Sequence, residues 1–158
     1  MFDTILGLPV HALVVHAVVV LVPLSATGVL AIAAVPRWRE RFGTLVLLLS
    51  TAALVTVPVA TRSGGELEER IGAGGVVKRQ IEDHKEIGNL VLWPTLAMWV
   101  LAIALVLMSR RSSAKGAVTA VAVLAAVAAV GAAGLVIRAG HLGSTAVWSC
   151  TIGSDACK

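Results

Sequence analysis

Four charge-free apolar stretches constrain this chain more than any other feature. They cover about Val10–Val35, Thr44–Ala60, Ile87–Met108 and Gly116–Ile137. At about 1.5 Å per residue, and allowing for tilt and ends, each can cross a hydrocarbon core roughly 30 Å thick as a helix. Backbone groups in lipid must be hydrogen-bonded within their own segment, so these runs are predicted to be helices. With 58% hydrophobic and 14% charged residues, a soluble fold would expose large apolar patches. We therefore predict an all-α fold, an integral membrane four-helix bundle.

The basic residues of the short loops predict the orientation of this bundle. They are Arg37, Arg39 and Arg41 between the first two spans, and Arg110, Arg111 and Lys115 between the last two. Because cytoplasmic loops carry the excess of Lys and Arg, both loops are predicted to be cytoplasmic. The loop 61–86 and the tail 138–158 then lie outside, so both termini are outside the cytoplasm. The net charge of +4 is mostly this signature and gives no reason to infer a nucleic-acid partner. We read residues 1–158 as a single domain without an alignable internal repeat.

The two cysteines lie in the predicted outer tail. Cys150 and Cys157 are separated by six residues that include Gly153, Ser154 and Asp155, which are common in turns. Their spacing matches neither a zinc knuckle nor a C-x-x-C redox pair. Because an oxidising compartment permits disulfides, a small structural disulfide loop is the favoured reading over two free thiols.

The four histidines are the main candidates for function. The predicted topology places His11, His16, His84 and His141 at or near the outer face. An imidazole in or near a bilayer is costly unless it is hydrogen-bonded or ligated, so such a cluster suggests a functional site. For any single one of them, an interfacial histidine bonded to backbone or water is the simpler explanation. If 76–86 is helical, His84 falls on its apolar, inward stripe. His11 and His16 are five residues apart, about 140° around a helix, which favours two different roles for them.

Span four adds a candidate cofactor surface. Gly131, Gly134, Arg138 and His141 share one helix face if the helix runs that far. Two glycines most often allow another helix to approach. Alternatively, a flat cofactor could lie in the notch that Gly131 and Gly134 leave on this face. Haem b is such a cofactor, and it needs axial imidazoles, an apolar slot and a cation for its propionates. The same histidines also suit a zinc or copper ion, with Glu82, Asp83 and Glu86 as acceptors for ring N–H groups.

Several segments together resemble one family over nearly the whole chain. They are Gly7–His16 with its paired histidines, Val57–Gly64, Glu82-Asp83-His84 and the late Gly140-His141 segment. The chain is similar to the bacterial four-span membrane proteins of DUF2231, a domain of unknown function, and looks like the actinobacterial branch. The resemblance implies a multi-pass protein of the bacterial plasma membrane. Some relatives carry Rieske iron–sulfur domains, which implies an association with membrane redox chemistry. Many relatives have proline where this chain has Ala12 and Ala17.

Two classes of function follow from these observations. The favoured one is a membrane redox module that holds haem b, or else a zinc or copper ion, at the histidine cluster and exchanges electrons with an external redox partner. The alternative is a non-catalytic accessory subunit without any cofactor, whose histidines are interfacial and whose span four packs on another membrane protein. The chain lacks hydrolase motifs such as G-x-S-x-G and H-E-x-x-H. An electron-transfer module is therefore favoured over an enzyme.

Overall fold

The chain folds as a helical bundle in a computed structural model that describes residues 4–5, 7–111, 114–149 and 152. Two short antiparallel strands, β1 (Thr4–Ile5) and β2 (Leu8–Pro9), precede α1 (Val10–Ala34). The other helices are α2 (Pro36–Ile71), α3 (Gly75–Leu90), α4 (Leu92–Arg110) and α5 (Lys115–Trp148). The fold class is all-α, as predicted. Four helical segments among the described residues are long and apolar enough to span a membrane, with α3 and α4 counted together.

Prolines and glycines divide the chain into these helices. Pro36 occupies the first turn of α2, where its missing N–H costs nothing. Pro94 has no N–H for the carbonyl of Leu90, and α3 and α4 are separated by Val91 at this point. After α2, Gly72 has φ 57° and Gly75 has φ 59°, left-handed conformations that glycine adopts without strain. The result is a short connection between the two halves of the chain.

The region predicted as the outer loop is largely helical. Residues 61–71 continue α2, residues 75–90 form α3, and the predicted tail continues α5 to Trp148. The predicted spans lie within the observed helices with two exceptions: Val35 follows the end of α1, and Val91 separates α3 from α4 within the third predicted span. With 36 residues, α2 is about 54 Å long, well beyond a hydrocarbon core of roughly 30 Å. Its charged residues therefore extend the bundle beyond the apolar layer. We call this end, where His11 and His84 lie, the histidine end, and the end with Arg37 and Arg111 the arginine end.

The core consists of two clusters along the bundle. One lies toward the arginine end and includes Ile32, Val46, Leu105 and Val106; the other includes Val22, Val57 and Val136. The buried residues of α5 are five alanines and one valine, which lets neighbouring helices approach closely. α1 packs on α2 and α5, and α4 packs on α5 and α2.

The buried positions of the two halves follow one register. The offset of 73 residues between His11 and His84 also relates buried α1 positions to buried α4 positions: Val22 to Thr95, Ser25 to Met98, Val29 to Ala102 and Ile32 to Leu105. An offset of 79 residues relates α2 to α5: Gly43 to Ala122, Val46 to Ala125, Ser50 to Ala129, Ala53 to Ala132, Val57 to Val136 and Ala60 to Ala139. The half α1–α2 and the half α3–α5 therefore share one pattern of buried positions, which we call the repeat. The sequence reading missed this repeat because the matched positions share burial and not residue identity.

Candidate functional site

Two of the four histidines meet inside the histidine end. His11 opens α1 and His84 lies on α3, and the centroids of their rings are 6.1 Å apart with an angle of 76° between the ring planes. Both side chains are half-buried. The inward direction of His84 agrees with the apolar spacing on α3. The two histidines occupy equivalent positions in the repeat, so each half of the chain contributes one ring.

Each ring is held by a hydrogen bond to a backbone carbonyl in its own half. His11 Nδ1 lies 2.9 Å from the carbonyl oxygen of Ala60 on α2. His84 Nδ1 lies 2.9 Å from the carbonyl oxygen of Ala139 on α5. Because a carbonyl oxygen only accepts, Nδ1 must be the protonated nitrogen that donates in both rings. In the neutral ring, Nε2 then carries a free lone pair, which is the arrangement used by metal-binding histidines.

Each ring also lies against a glycine one turn beyond its carbonyl partner. A Cβ atom on Gly64 would stand 2.9 Å from His11 Cε1, and one on Gly143 would stand 3.0 Å from His84 Cε1. Both distances leave no room for a methyl group unless the ring moves. The repeated unit of the site is therefore one histidine together with an Ala-x-x-x-Gly segment on the neighbouring helix.

The sequence alone did not reveal these four backbone partners. Ala60, Gly64, Ala139 and Gly143 carry no functional side chain, so a search for reactive residues passes over them. A usable signal was nevertheless present, because Ala60-Thr-Arg-Ser-Gly64 and Ala139-Gly-His-Leu-Gly143 share the same spacing.

The other predicted site residues lie outside this pair. His16 is exposed, and its Nδ1 bonds the carbonyl oxygen of Ala12 on its own helix. Arg138 and His141 are exposed on α5, and so are Gly131 and Gly134. The predicted common face of these four residues exists, but it is turned away from the histidine pair. Cys150 and Cys157, predicted to form a disulfide, lie outside the described residues.

The parts proposed for a haem site are consequently not brought together. A Cβ atom on Gly131 would stand 3.8 Å from Pro94 Cβ, and one on Gly134 would meet nothing within 4 Å, so these two glycines do not face the two imidazoles. The cleft that reaches His11 has a volume of only about 10 Å³, far below the roughly 300–1,000 Å³ of pockets for larger ligands. The described arrangement does not fit a porphyrin between His11 and His84.

The cleft beside His11 has both polar and charged walls. It is lined by Pro9, Val10, His11, Ser63, Glu66, Leu67 and Arg70. Nearby, Lys85 Nζ lies 2.8 Å from Glu68 Oε2 and joins α3 to α2. Among the residues that the structure describes, no group of three or more His, Cys, Asp or Glu side chains could hold a metal ion together. Among the described residues, the groups at this site that could act as ligands are therefore the two imidazoles.

Comparison with known proteins identifies the family. No curated protein and no solved structure matches the chain. The sequence profile of predicted membrane proteins called DUF2231 matches residues 7–156. This range includes His11 and His84, the glycines Gly64 and Gly143 that lie against them, and all four candidate spans. The chain thus belongs to the DUF2231 family of predicted membrane proteins.

Proposed function

We propose that this protein is a membrane metal-binding protein in which His11 and His84 bind one transition-metal ion, with copper as the favoured metal. The observation that carries the proposal is the pair of Nδ1–H···O=C bonds, 2.9 Å long in both halves. They direct both protons away from Nε2 and leave two neutral nitrogen ligands. The 6.1 Å between ring centroids supports a shared ion, because a metal lies only about 2.0 Å from each imidazole nitrogen.

The ligand count favours copper over zinc. Imidazole nitrogen suits zinc, copper, iron and nickel alike. Zinc in structural sites takes four protein ligands and in catalytic sites three, whereas the described residues bring two imidazoles together. Cu(I) is a closed-shell ion that accepts two nitrogen ligands. Copper also exchanges one electron between Cu(I) and Cu(II), which would serve an external one-electron redox partner. In this proposal the histidine end faces the outside of a bacterial plasma membrane.

The proposal is tested by metal binding to the detergent-purified, metal-stripped chain. Cu(I) is titrated under reducing conditions against a coloured competing chelator. We expect one ion per chain, and loss of this binding in both His11→Ala and His84→Ala. His16→Ala and His141→Ala serve as matched controls, because these exposed imidazoles lie outside the pair, and they should bind like the parent.

Other outcomes separate the remaining interpretations. A reduced-minus-oxidised spectrum of the freshly purified protein is recorded first, and sharp Soret and α bands at near-equal stoichiometry would replace the ion with haem. Stoichiometric zinc with no affinity for Cu(I) would overturn the choice of metal. Equal Cu(I) binding by the parent and by both His11→Ala and His84→Ala would overturn the site. Thermal unfolding of each variant shows whether a loss of binding reflects a loss of fold.

The same hydrogen bonds support a second candidate, a structural or accessory subunit without a bound metal. His11 connects α1 to α2, and His84 connects α3 to α5, so both rings have a role in packing. In this case the parent binds no stoichiometric metal, while His11→Ala and His84→Ala lower the unfolding temperature. Co-purification of the parent with another membrane protein, weakened by changes on the exposed Gly131 and Gly134 face, would favour this candidate.

A further inference from the structure

An ion pair joins the two halves of the chain beside the imidazoles. Lys85 Nζ lies 2.8 Å from Glu68 Oε2, and the two side chains are 52% and 26% exposed. Lys85 directly follows His84 on α3. Glu68 lies one helical turn beyond Gly64 on α2, the glycine against which the ring of His11 lies. The ion pair therefore connects the helix that carries one ring to the helix that contacts the other.

Apolar packing attaches α3 only weakly to the first half of the chain. No residue of α3 is buried, and this helix packs mainly on α5, with little contact to α2. Its attachment to α5 includes the hydrogen bond from His84 Nδ1 to the Ala139 carbonyl. Ser149 Oγ of α5 also donates to Gln80 Oε1 of α3 over 2.9 Å. The helix is thus bound to its own half, and the ion pair with Glu68 is a separate connection to the other half.

The distance between the two rings depends on connections of this kind. Each ring is hydrogen-bonded to a carbonyl of its own half, so a shift of one half against the other moves the rings apart or together. A metal ion lies only about 2.0 Å from each imidazole nitrogen that binds it. A small displacement of α3 from α2 therefore lengthens a metal–nitrogen bond.

We infer that the ion pair between Lys85 and Glu68 positions His84 relative to His11 for metal binding, so that the metal affinity falls as salt is added. This inference rests on the proposed metal site. Lys85 and Glu68 are positioning residues, because they act on the metal through the placement of the rings. Salt weakens the ion pair because its charges are partly exposed, and exposed charges are screened over about 8 Å at physiological ionic strength.

Positioning and direct electrostatic attraction predict opposite effects for one substitution. If the charges acted directly on the bound cation, Lys85→Met would remove a repulsive charge and strengthen Cu(I) binding, whereas Glu68→Gln would weaken it. If the ion pair positions the rings, both substitutions weaken binding, because each of them breaks the same contact. We expect each to lower the affinity about two- to fivefold, as is typical of partly exposed ion pairs.

The experiment measures the Cu(I) affinity of the full-length, metal-stripped chain against a competing chelator. The parent, Lys85→Met, Glu68→Gln and the double variant are titrated at low and at high potassium sulfate, because sulfate binds Cu(I) far less than chloride does. The double variant should bind no more weakly than either single variant, since all three lack the same contact. High salt should weaken binding by the parent and have less effect on the variants.

Lys78→Met is the matched control. Lys78 Nζ lies 3.9 Å from Glu82 Oε1 within α3, so this substitution removes the same charge from the same helix without breaking a contact between helices. It should leave the Cu(I) affinity close to that of the parent. Thermal unfolding of each variant shows whether the fold is intact.

The outcomes separate the inference from the metal site. Stronger binding by Lys85→Met, or equal losses in Lys85→Met and Lys78→Met, would refute the positioning role while leaving the metal site intact. The absence of Cu(I) binding by the parent would refute the metal site and the positioning role together.

A second measurement tests the contact without any metal. A carbodiimide activates a carboxylate, and a neighbouring amine then displaces the activating group to form an amide and release a urea. Mass spectrometry of the digested parent should show an amide between Lys85 and Glu68, in lower yield when the reaction is run at high salt. The amide between Lys78 and Glu82 is the internal reference. A parent that forms the reference amide but no amide between Lys85 and Glu68 would overturn the inference.

Discussion

His84 Cε1 lies 3.0 Å from the point that a Cβ atom would occupy on Gly143. The only atom that separates the backbone of α5 from this ring is hydrogen, so the ring position depends on the absence of a side chain. The same relation holds between His11 and Gly64. Four residues on four helices thereby define where the two imidazoles stand.

Replacing Gly143 with alanine should displace the ring of His84. The added methyl group must move the imidazole away from the Ala139 carbonyl, since the helix backbone cannot yield. Overpacking of this kind costs about 1–3 kcal/mol, which we expect as a lower unfolding temperature in detergent together with weaker Cu(I) binding. Gly134→Ala is the control: nothing lies within 4 Å of its Cβ position, and alanine favours the helix by roughly 0.5–1 kcal/mol. A Gly143→Ala variant with parental stability and binding would contradict the packing described.

Gly28→Ala should disturb the close packing between α1 and α2, and a second substitution at Val46 should relieve this disturbance. A Cβ atom on Gly28 would stand 3.0 Å from Val46 Cγ2, so Gly28→Ala should destabilise the bundle by about 1–3 kcal/mol. Adding Val46→Ala removes the obstructing methyl groups, and the double variant should be more stable than Gly28→Ala alone. A double-mutant cycle in thermal or denaturant unfolding measures this coupling. Strictly additive effects would show that the two residues do not compete for space.

In the second half of the chain, the large and the small residue of this contact are exchanged between the two helices. Position 28 corresponds to Leu101 and position 46 to Ala125, and both belong to the core cluster toward the arginine end. The first half thus places the small residue on α1 and the large one on α2, whereas the second half places the large residue on α4. This reversal explains why comparing residue types along the sequence does not align the halves.

Removal of the Arg39 side chain should destabilise the arginine end. Arg39 is 8% exposed, and it donates from Nε to the Ile32 carbonyl at 2.6 Å and from a terminal nitrogen to the Ala33 carbonyl at 2.7 Å. The last carbonyls of a helix have no intrahelical donor, so Arg39→Ala leaves buried acceptors unpaired, at about 1–3 kcal/mol. Arg37→Ala removes the same charge from an exposed position and should cost far less. Similar unfolding temperatures for the two variants would refute this role.

The contact between Trp99 and Thr51 should contribute to the packing of α4 on α2. Trp99 Nε1–H donates to Thr51 Oγ1 over 2.9 Å. Thr51→Val should lower the free energy of unfolding by about 0.6 kcal/mol, the mean for interhelical hydrogen bonds in membrane proteins, and should alter tryptophan emission. Thr27→Val is the matched control, since its exposed hydroxyl bonds only the Pro23 carbonyl of its own helix. If both variants behave alike, the interhelical bond contributes nothing measurable.

The architecture was largely predictable because lipid restricts the choices. An apolar stretch such as the one from Gly116 to Ile137 must be a helix if it lies in a membrane, and its length was sufficient to identify it. Residues 61–86 are polar, and no such constraint applies to them outside the hydrocarbon layer. In the structure these helices contact each other, for example through Lys85 and Glu68 between α3 and α2, and the local sequence does not contain such contacts.

The site was only partly predictable for a related reason. Spacing along α1 correctly separated His11 from His16, because five residues turn a helix by about 140°. Spacing along α5 correctly grouped Gly131 with Arg138, but it could not tell whether that face is directed inward or outward. The direction of a face on α5 depends on where α1 and α4 pack against it. The sequence of α5 alone does not contain this information. The pairing of His11 with His84 likewise arises from contacts between halves.

His11 belongs to the first half of the chain and His84 to the second. The distance between their rings therefore depends on the relative position of the two halves. Each ring is bonded within its own half, so internal adjustments carry ring and carbonyl together. A small rotation of one half against the other instead changes the distance between the two rings directly. The separation of the two imidazoles is therefore set by the packing of one half on the other and not by either half alone.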